Sequence, residues 1–141
     1  MAWRIERPAT AFTNDRDRKS RGGRRQEKDH LSYIRKLPCC ACGARMRVEA
    51  AHIRYRSALY GKGSTAMGTK PDDRWAVPLD DKCHRTGPDA QHGTNEERWW
   101  ADRGIDPLAL AATLFSCSGD VEMGEQVIQA TRLKAKKGVP V

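Results

Sequence analysis

The sequence predicts a small α+β domain in which a bound metal supplies part of the stability. The chain of 141 residues has the length of one domain, but only 38% of its residues are hydrophobic and 6% are aromatic. That is little for a self-sufficient core. Three of its five cysteines lie within "CCAC" at 39–42. A metal clip commonly compensates for a thin core in domains of this kind.

A basic arm of residues 1–29 precedes the domain in this prediction. Residues 13–29 contain seven Arg or Lys side chains and no apolar residue, so we expect them to be mobile when free. The arm either neutralises the phosphates of a polyanion or only increases solubility, and both interpretations remain open. The domain is placed at 30–117, and a C-terminal helix with a basic tail at 118–141.

The first predicted element of the domain is a helix. Leu31, Ile34 and Leu37 repeat at helical spacing, and Pro38 ends the pattern. An apolar stripe of this kind is expected to pack on the core.

Two strands and a glycine-rich loop follow. The first strand is predicted within 46–56 and the second at 74–79, where Pro78 indicates an edge strand or a strand end. The loop at 61–73 connects them, and a helix is expected to begin near Lys82–His84.

Three further helices are predicted in the second half of the chain. Asn95 and Gly104 bound the first as its N-cap and C-cap. Asp106 caps the second and Pro107 is its first residue. A weaker helix within 122–138 fades into the basic tail.

Two tryptophans, Trp99 and Trp100, are adjacent on the first of these helices. Adjacent helical residues point in different directions. We therefore expect one tryptophan in the core and the other on the surface, where it could contact DNA or a protein partner.

Cysteine spacing indicates a metal site. Cys39 and Cys42 form a C-x2-C half-site, in which two thiolates can chelate one Zn²⁺ at ~2.3 Å each. Cys83, at the predicted start of a helix, is the third candidate ligand. Three cysteines within four residues and a later Cys-His pair make a set of buried, metal-free thiols the less favoured alternative.

Cysteine spacing alone leaves the fourth ligand open. Asp80 stands three residues before Cys83, where a matching knuckle would have a cysteine, and zinc accepts carboxylate oxygen. Cys40 and His30 are the alternatives. Cys117 has no metal-ligand neighbours in sequence and is interpreted as a structural or free thiol.

Three histidines exceed what one zinc site needs: His52, His84 and His92. The predicted order of strand, loop, strand and helix could bring these histidines together at one end of the unit. Such a cluster could bind a second metal ion next to the phosphate that is cleaved. One neutral imidazole would take a proton from water. A single strand histidine is more often a core residue, but three near a zinc knuckle favour chemistry.

The charge of the chain points to a polyanionic partner. The formal net charge is +8 and the pI is about 9.5. Four basic residues flank His52 in sequence and are predicted to contact backbone phosphates of DNA: Arg54, Arg56, Lys62 and Lys70. The alternative is an exposed basic loop without a ligand.

Neither a membrane span nor a secretory leader is apparent. No stretch approaches the ~20 apolar residues of a span. The chain start lacks the apolar core of a signal peptide. We therefore expect a cytoplasmic protein with no membrane partner, in a reducing compartment where cysteines serve metals more often than disulfides.

An ordered series of short segments resembles the HNH endonuclease superfamily. The series runs "LPCCACG", "VEAAHIR", "GTKPDDRWAVPL", "CHR" with "QH", and "RWWADRGIDP", over roughly residues 30–115. It is most similar to small phage and prophage HNH proteins, such as the RecA-dependent Ref nucleases and the YbcO-like proteins. The resemblance implies a zinc-stapled ββα-metal core of treble-clef type with flanking helices.

The resemblance also implies roles for individual residues. His52 takes the position of the general base. Asp73 takes the position that orients this base, with Asp72 as a one-residue alternative. His84 and His92 are implied as ligands of a catalytic cation, Mg²⁺ or Mn²⁺, with Zn²⁺ and Ni²⁺ also accepted by imidazole.

Two positions depart from the pattern of the superfamily. Ala51 stands directly before the base, where many HNH enzymes carry an Asp or His metal ligand. The catalytic cation would then have fewer protein ligands, or Asp73 would supply one. Asp80 replaces the usual knuckle cysteine.

Three functions follow as hypotheses. The leading one is a metal-dependent DNA endonuclease with little base specificity, acting in phage-related recombination or processing, and partnered by DNA and by a recombinase filament or another DNA-processing protein. The second is a catalytically silent, zinc-stabilised module that binds DNA or a protein. The third is a zinc-stapled structural component of a phage assembly.

Overall fold

The computed structural model describes residues 27–63 and 70–138, which form a mixed α+β structure. Most of the predicted basic arm and the centre of the glycine-rich loop lie outside the described residues. The regular elements are helix α1 (Lys28–Arg35), strands β1 (Val48–His52) and β2 (Ala76–Asp80), and helices α2 (Glu96–Asp102), α3 (Pro107–Ser116) and α4 (Val121–Lys136).

Strands β1 and β2 form a two-stranded antiparallel sheet. His52 pairs with Ala76 at one end, and Val48 pairs with Asp80 at the other. Strand β2 begins two residues later than predicted because residues 73–75 form a 3₁₀ turn. His52 and the 3₁₀ turn therefore lie at one end of the sheet, and Asp80 lies at the other end.

The helix predicted after β2 is a single wide turn, Lys82–Thr86. The Gly87 backbone N–H donates to the carbonyl of Lys82 at 2.9 Å, a bond between residues five apart, as in a π-helix. A Cβ on Gly87 would lie 2.5 Å from that carbonyl oxygen, so this position requires glycine. The turn carries Cys83 and His84, which the prediction placed on a longer helix.

The two predicted N-caps are confirmed, whereas the C-cap of α2 is Arg103 and the predicted Gly104 follows it in the left-handed conformation (φ +66°). The Asn95 side chain accepts from the backbone N–H of Arg98 at 3.0 Å, and Asp106 Oδ1 accepts from the N–H of Leu108 at 3.1 Å. Pro107 is the first residue of α3. Each cap satisfies N–H groups that the first helical turn leaves unpaired.

One hydrophobic core joins the sheet to helices α1, α3 and α4. Ile34, Leu79, Leu114 and Ile128 are fully or almost fully buried within it. The C-terminal helix α4 thus packs against the domain rather than standing apart from it.

The prediction for the tryptophan pair is wrong. Trp99 and Trp100 are both buried, at 3% and 1% exposure, with ring centroids 4.8 Å apart in an edge-on arrangement. The guanidinium of Arg103 stacks 3.6 Å from the Trp99 ring centroid, and the indole N–H donates to the carbonyl of Asp89 at 2.6 Å. Neither ring is available to a partner.

Within the described ranges, no helix combines the length and the apolar character needed to cross a membrane.

Candidate functional site

A group of four side chains at the Asp80 end of the sheet could hold a metal ion. The ligand atoms of Cys39, Cys42, Asp80 and Cys83 all lie within 4.8 Å of one another. Asp80 Oδ1 lies 3.4 Å from the Cys42 sulfur and accepts from the Cys83 backbone N–H at 3.2 Å. These are the four ligands predicted from the sequence, including the carboxylate.

The knuckle that carries Cys39 and Cys42 is fixed by backbone contacts. The Gly43 N–H donates to the Cys39 carbonyl at 2.9 Å, and Gly43 adopts the left-handed conformation (φ +82°) that favours glycine. The Cys40 N–H donates to the Pro78 carbonyl at 2.9 Å, which joins the knuckle to β2. Arg132 from α4 donates to the Cys42 carbonyl at 3.0 Å.

His30 and Cys40, the two alternatives for the fourth ligand, lie in other surroundings. His30 Nδ1 lies 2.7 Å from the Ser118 hydroxyl. Cys40 is completely buried, and burial raises the pKa of its thiol well above the ordinary value. Both side chains are absent from the group that could bind a metal, so among the described residues Asp80 completes it.

Without a bound cation, two of the thiols in this group favour the protonated form. Burial, together with a hydrogen bond to Asp80 and nearby thiols, raises the pKa of Cys83. Burial also raises the pKa of Cys39. A bound divalent cation would favour the deprotonated thiolates instead, because its positive charge offsets the repulsion between neighbouring thiolates.

At the opposite end of the sheet, His52 and Asp73 form a close pair. His52 Nε2 lies 2.8 Å from Asp73 Oδ1, and the other oxygen of Asp73 accepts from the Glu27 backbone N–H at 2.7 Å. Asp73 is 1% exposed. The buried carboxylate thus constrains the orientation of the histidine ring.

His84 and His92 lie beside each other, with ring centroids 4.4 Å apart at 81°. His84 Nδ1 lies 2.6 Å from Glu49 Oε2. Arg85 also contacts Glu49, through its Nε at 3.1 Å and through a second, short bond from its terminal nitrogen. Burial, reinforced by the neighbouring His84 and the arginines, lowers the pKa of His92, which favours its neutral form.

His52, His84 and His92 all line one cleft of about 440 Å³. Its lining carries three imidazoles, four basic side chains and one carboxylate: His52, His84, His92, Arg35, Arg54, Lys70, Arg85 and Glu49, with Ala50 between them. The excess of positive charge suits an anionic ligand.

The predicted phosphate-binding residues divide into three cases. Arg54 and Lys70 line the cleft. Arg56 is exposed but is not part of the lining. Lys62 is only 6% exposed, its ammonium donates to the Arg54 carbonyl at 3.2 Å, and burial lowers its pKa. The structure thus contradicts the prediction at Lys62, whose side chain supports the loop instead of facing solvent.

Comparison with known families covers most of the chain. Residues 9–117 match the family described as "Protein of unknown function (DUF968)". The chain belongs to this family. No curated protein and no solved structure matches the chain.

Sequence reasoning missed three charged residues of the cleft: Glu49, Arg35 and Arg85. Glu49 could have been noticed, since it is an acidic side chain inside a predicted strand, three residues before His52. Arg35 and Arg85 gave no such signal, because both lie in segments with several exposed basic residues. Only packing brings them to the same cleft.

Proposed function

We propose that this protein is a metal-dependent DNA endonuclease of the HNH class, with His52 as the general base. The observation that carries the proposal is the His52–Asp73 pair, which borders a basic cleft that also contains His84 and His92. An oriented imidazole can act as a general base, and the neighbouring imidazoles and basic side chains suit a phosphodiester substrate.

The local architecture supports membership of the HNH superfamily. An antiparallel strand pair is followed directly by the helical turn Lys82–Thr86, and a group that could hold a metal connects that turn to the knuckle before β1. This order of elements is the one expected for a ββα-metal core.

We infer that the metal of the cysteine group is a structural Zn²⁺. Three thiols and one carboxylate supply four donors of the kinds that zinc accepts, and closed four-ligand sites are typical of structural zinc. A low hydrophobic content of 38% is in keeping with a metal that contributes to folding.

In the proposed reaction His52 takes a proton from water, and the resulting hydroxide attacks phosphorus. The bond between phosphorus and the 3′ oxygen breaks, and that oxygen takes a proton from solvent water, which gives 5′-phosphate and 3′-hydroxyl ends. Asp73 accepts the Nε2–H of His52, which fixes the tautomer that takes the proton at Nδ1, and its charge stabilises the imidazolium that forms. Arg54 and Lys70 bind flanking phosphates. When bound at His84 and His92, a cation such as Mg²⁺ or Mn²⁺ supplies charge stabilisation of the phosphate and the leaving oxygen.

Sequence preference would come from DNA shape or from a partner rather than from base contacts. Among the described helices longer than one turn, α1 contributes a side chain to the lining, that of its last residue Arg35. A role in phage-related recombination or processing, with a recombinase filament as the partner, extends the same proposal.

A catalytically silent zinc module is the second candidate. The observation that favours it is Ala51, whose methyl group is fully buried in the position where a metal ligand is common. Such a module would bind DNA through the same basic cleft.

Cleavage of supercoiled plasmid tests both candidates. Purified protein is incubated with Mg²⁺, Mn²⁺, Ni²⁺ or EDTA, and His52→Ala is compared with wild type for both cleavage and DNA affinity. We expect metal-dependent nicking that falls by about 10²–10⁴-fold in the variant, since that is the usual contribution of a general base. Equal nicking by both proteins would contradict the nuclease, as would a lack of nicking in every metal, with and without a recombinase filament.

A further inference from the structure

Four anionic ligands would give the proposed zinc centre an excess of negative charge. Three thiolates and one carboxylate, from Cys39, Cys42, Cys83 and Asp80, carry four negative charges, of which a divalent cation neutralises two. Positive groups nearby favour thiolates, and the residues around the ligands tune the affinity of a metal site. A cationic side chain close to this centre would therefore strengthen metal binding.

Arg132, on helix α4, lies directly on the knuckle that carries Cys39 and Cys42. Its Nη2 donates to the Cys42 carbonyl at 3.0 Å, across 90 positions of sequence. Its guanidinium covers Gly43, since a Cβ on that glycine would lie 2.6 Å from the guanidinium carbon. The absence of a side chain at Gly43 thus lets the cation approach the knuckle backbone.

Helix packing holds Arg132 in this place. Gly124, Ile128 and Arg132 recur every four residues and therefore share one face of α4. A Cβ on Gly124 would lie 2.5 Å from the Tyr33 hydroxyl oxygen of α1, and Ile128 is fully buried. The face that packs on the domain core therefore also carries the guanidinium to the knuckle.

The charge of Arg132 has no carboxylate partner in the described part of the chain. Arg45, just after the knuckle, pairs with Glu125 at 2.8 Å. Arg132 forms no ion pair with a residue that the structure describes, and its Nε is buried without a hydrogen-bond partner among those residues. A partly desolvated cation with an unpaired N–H is unfavourable unless negative charge lies close by. A zinc centre with excess negative charge meets that need.

We propose that Arg132 is a positioning residue of the metal centre, whose guanidinium holds the knuckle and whose charge compensates the anionic ligands around Zn²⁺. The inference rests on the structural zinc of the proposed function and adds helix α4 to the support of that site. Residues 9–117 match the family, and α4 spans Val121–Lys136. The support for the metal thus comes from a segment beyond the family match.

The test is the Zn²⁺ affinity of the full-length protein, measured by competition with a chromophoric chelator. Arg132→Met keeps a long side chain without charge and should weaken Zn²⁺ binding by at least about 10-fold, as is typical for residues that support metal ligands. Arg132→Lys keeps the charge and should recover part of this loss. Arg45→Met is the matched control, because Arg45 forms an exposed ion pair with Glu125, and it should change the affinity by less than about 3-fold.

The outcomes separate this inference from the structural zinc itself. Wild-type affinity in Arg132→Met would overturn the inference and leave the zinc site standing, and so would a lysine variant that binds no better than the methionine variant. A wild-type protein that binds no Zn²⁺ would overturn both. If circular dichroism shows that Arg132→Met does not fold at saturating Zn²⁺, the Arg132 Nε–H resonance of wild type is followed during Zn²⁺ titration of the folded protein. A resonance that does not shift on zinc binding would contradict the inference.

Discussion

His52 and Asp73 are 21 positions apart in sequence, and their side chains meet at 2.8 Å between Nε2 and Oδ1. The resemblance assigns the orienting position to Asp73 and leaves the neighbouring Asp72 as a one-residue alternative. Asp73 is the first residue of a 3₁₀ turn, and its carboxylate contacts both the His52 ring and the backbone N–H of Glu27. This contact gives the strand histidine a defined orientation and distinguishes two adjacent aspartates.

Asp73→Asn should therefore impair cleavage much more than Asp72→Asn. The asparagine keeps the volume of the side chain but not the negative charge that orients and stabilises the imidazole during proton transfer. We expect a loss of about 10²–10⁴-fold in nicking rate for Asp73→Asn and little change for Asp72→Asn. The rates are measured on supercoiled plasmid at matched protein stability. A larger effect at Asp72 would show that the orienting residue is misassigned.

Zinc content should depend on Asp80 as well as on the cysteines. A structural Zn²⁺ contributes on the order of 10 kcal/mol to the folding of small domains, so Asp80→Ala should lose metal and fall in melting midpoint by at least about 10 °C. Cys117→Ser, outside the four-ligand group, should retain one zinc per chain. Metal analysis and thermal unfolding measure both properties. Full zinc occupancy in Asp80→Ala would exclude the carboxylate ligand.

Lys70 and Lys62 should behave differently in DNA binding. Lys70 lines the cleft, whereas Lys62 is buried and bonded to the Arg54 carbonyl. Lys70→Ala should lower affinity and reduce the slope of log affinity against log salt by about 1, the amount expected for one phosphate contact. Lys62→Met should leave that slope unchanged. Fluorescence anisotropy over a salt series gives both slopes, and a reduced slope for Lys62→Met would contradict the burial argument.

Gly87→Ala should disturb the turn that carries His84. The added Cβ would lie 2.5 Å from the Lys82 carbonyl oxygen, a contact that the backbone can relieve only by opening the turn. We expect a loss of about 1–3 kcal/mol in unfolding free energy, typical of overpacking, and a matching fall in cleavage. Gly93→Ala is the control, because among the described residues nothing beyond its chain neighbours lies within 4 Å of where its Cβ would stand. Denaturant unfolding distinguishes the two variants.

His30 should make stability depend on pH. Burial lowers the pKa of His30 below its ordinary value of 6.5, with Asp73 partly opposing the shift. Below pH 6.5 the unfolded chain therefore binds more protons than the folded one, so wild type loses stability as the pH falls through this value towards the lower folded pKa. His30→Phe, which cannot titrate, should lose less over the same interval. Denaturant unfolding across this pH range measures both proteins, and a parallel loss in the two would contradict this origin.

Much of the fold and part of the candidate site were predictable because their causes are local. Caps at Asn95 and Asp106 act on N–H groups two or three residues away, so a short window of sequence suffices. The C-x2-C spacing brings Cys39 and Cys42 together through one turn. The matching offset of Asp80 and Cys83 works in the same way, so the four metal-ligand candidates could be named without coordinates.

The tertiary structure decided what depends on contacts between distant segments. It selected Asp73 over Asp72, buried Lys62 and both tryptophans, and brought Glu49 to His84 across 35 positions. Side-chain burial and cross-strand neighbours are set by how the sheet packs on α1 and α3, and no local spacing encodes that geometry. The sequence by itself therefore determined which residue types are present for metal and phosphate chemistry, and packing determined which of them share one cleft.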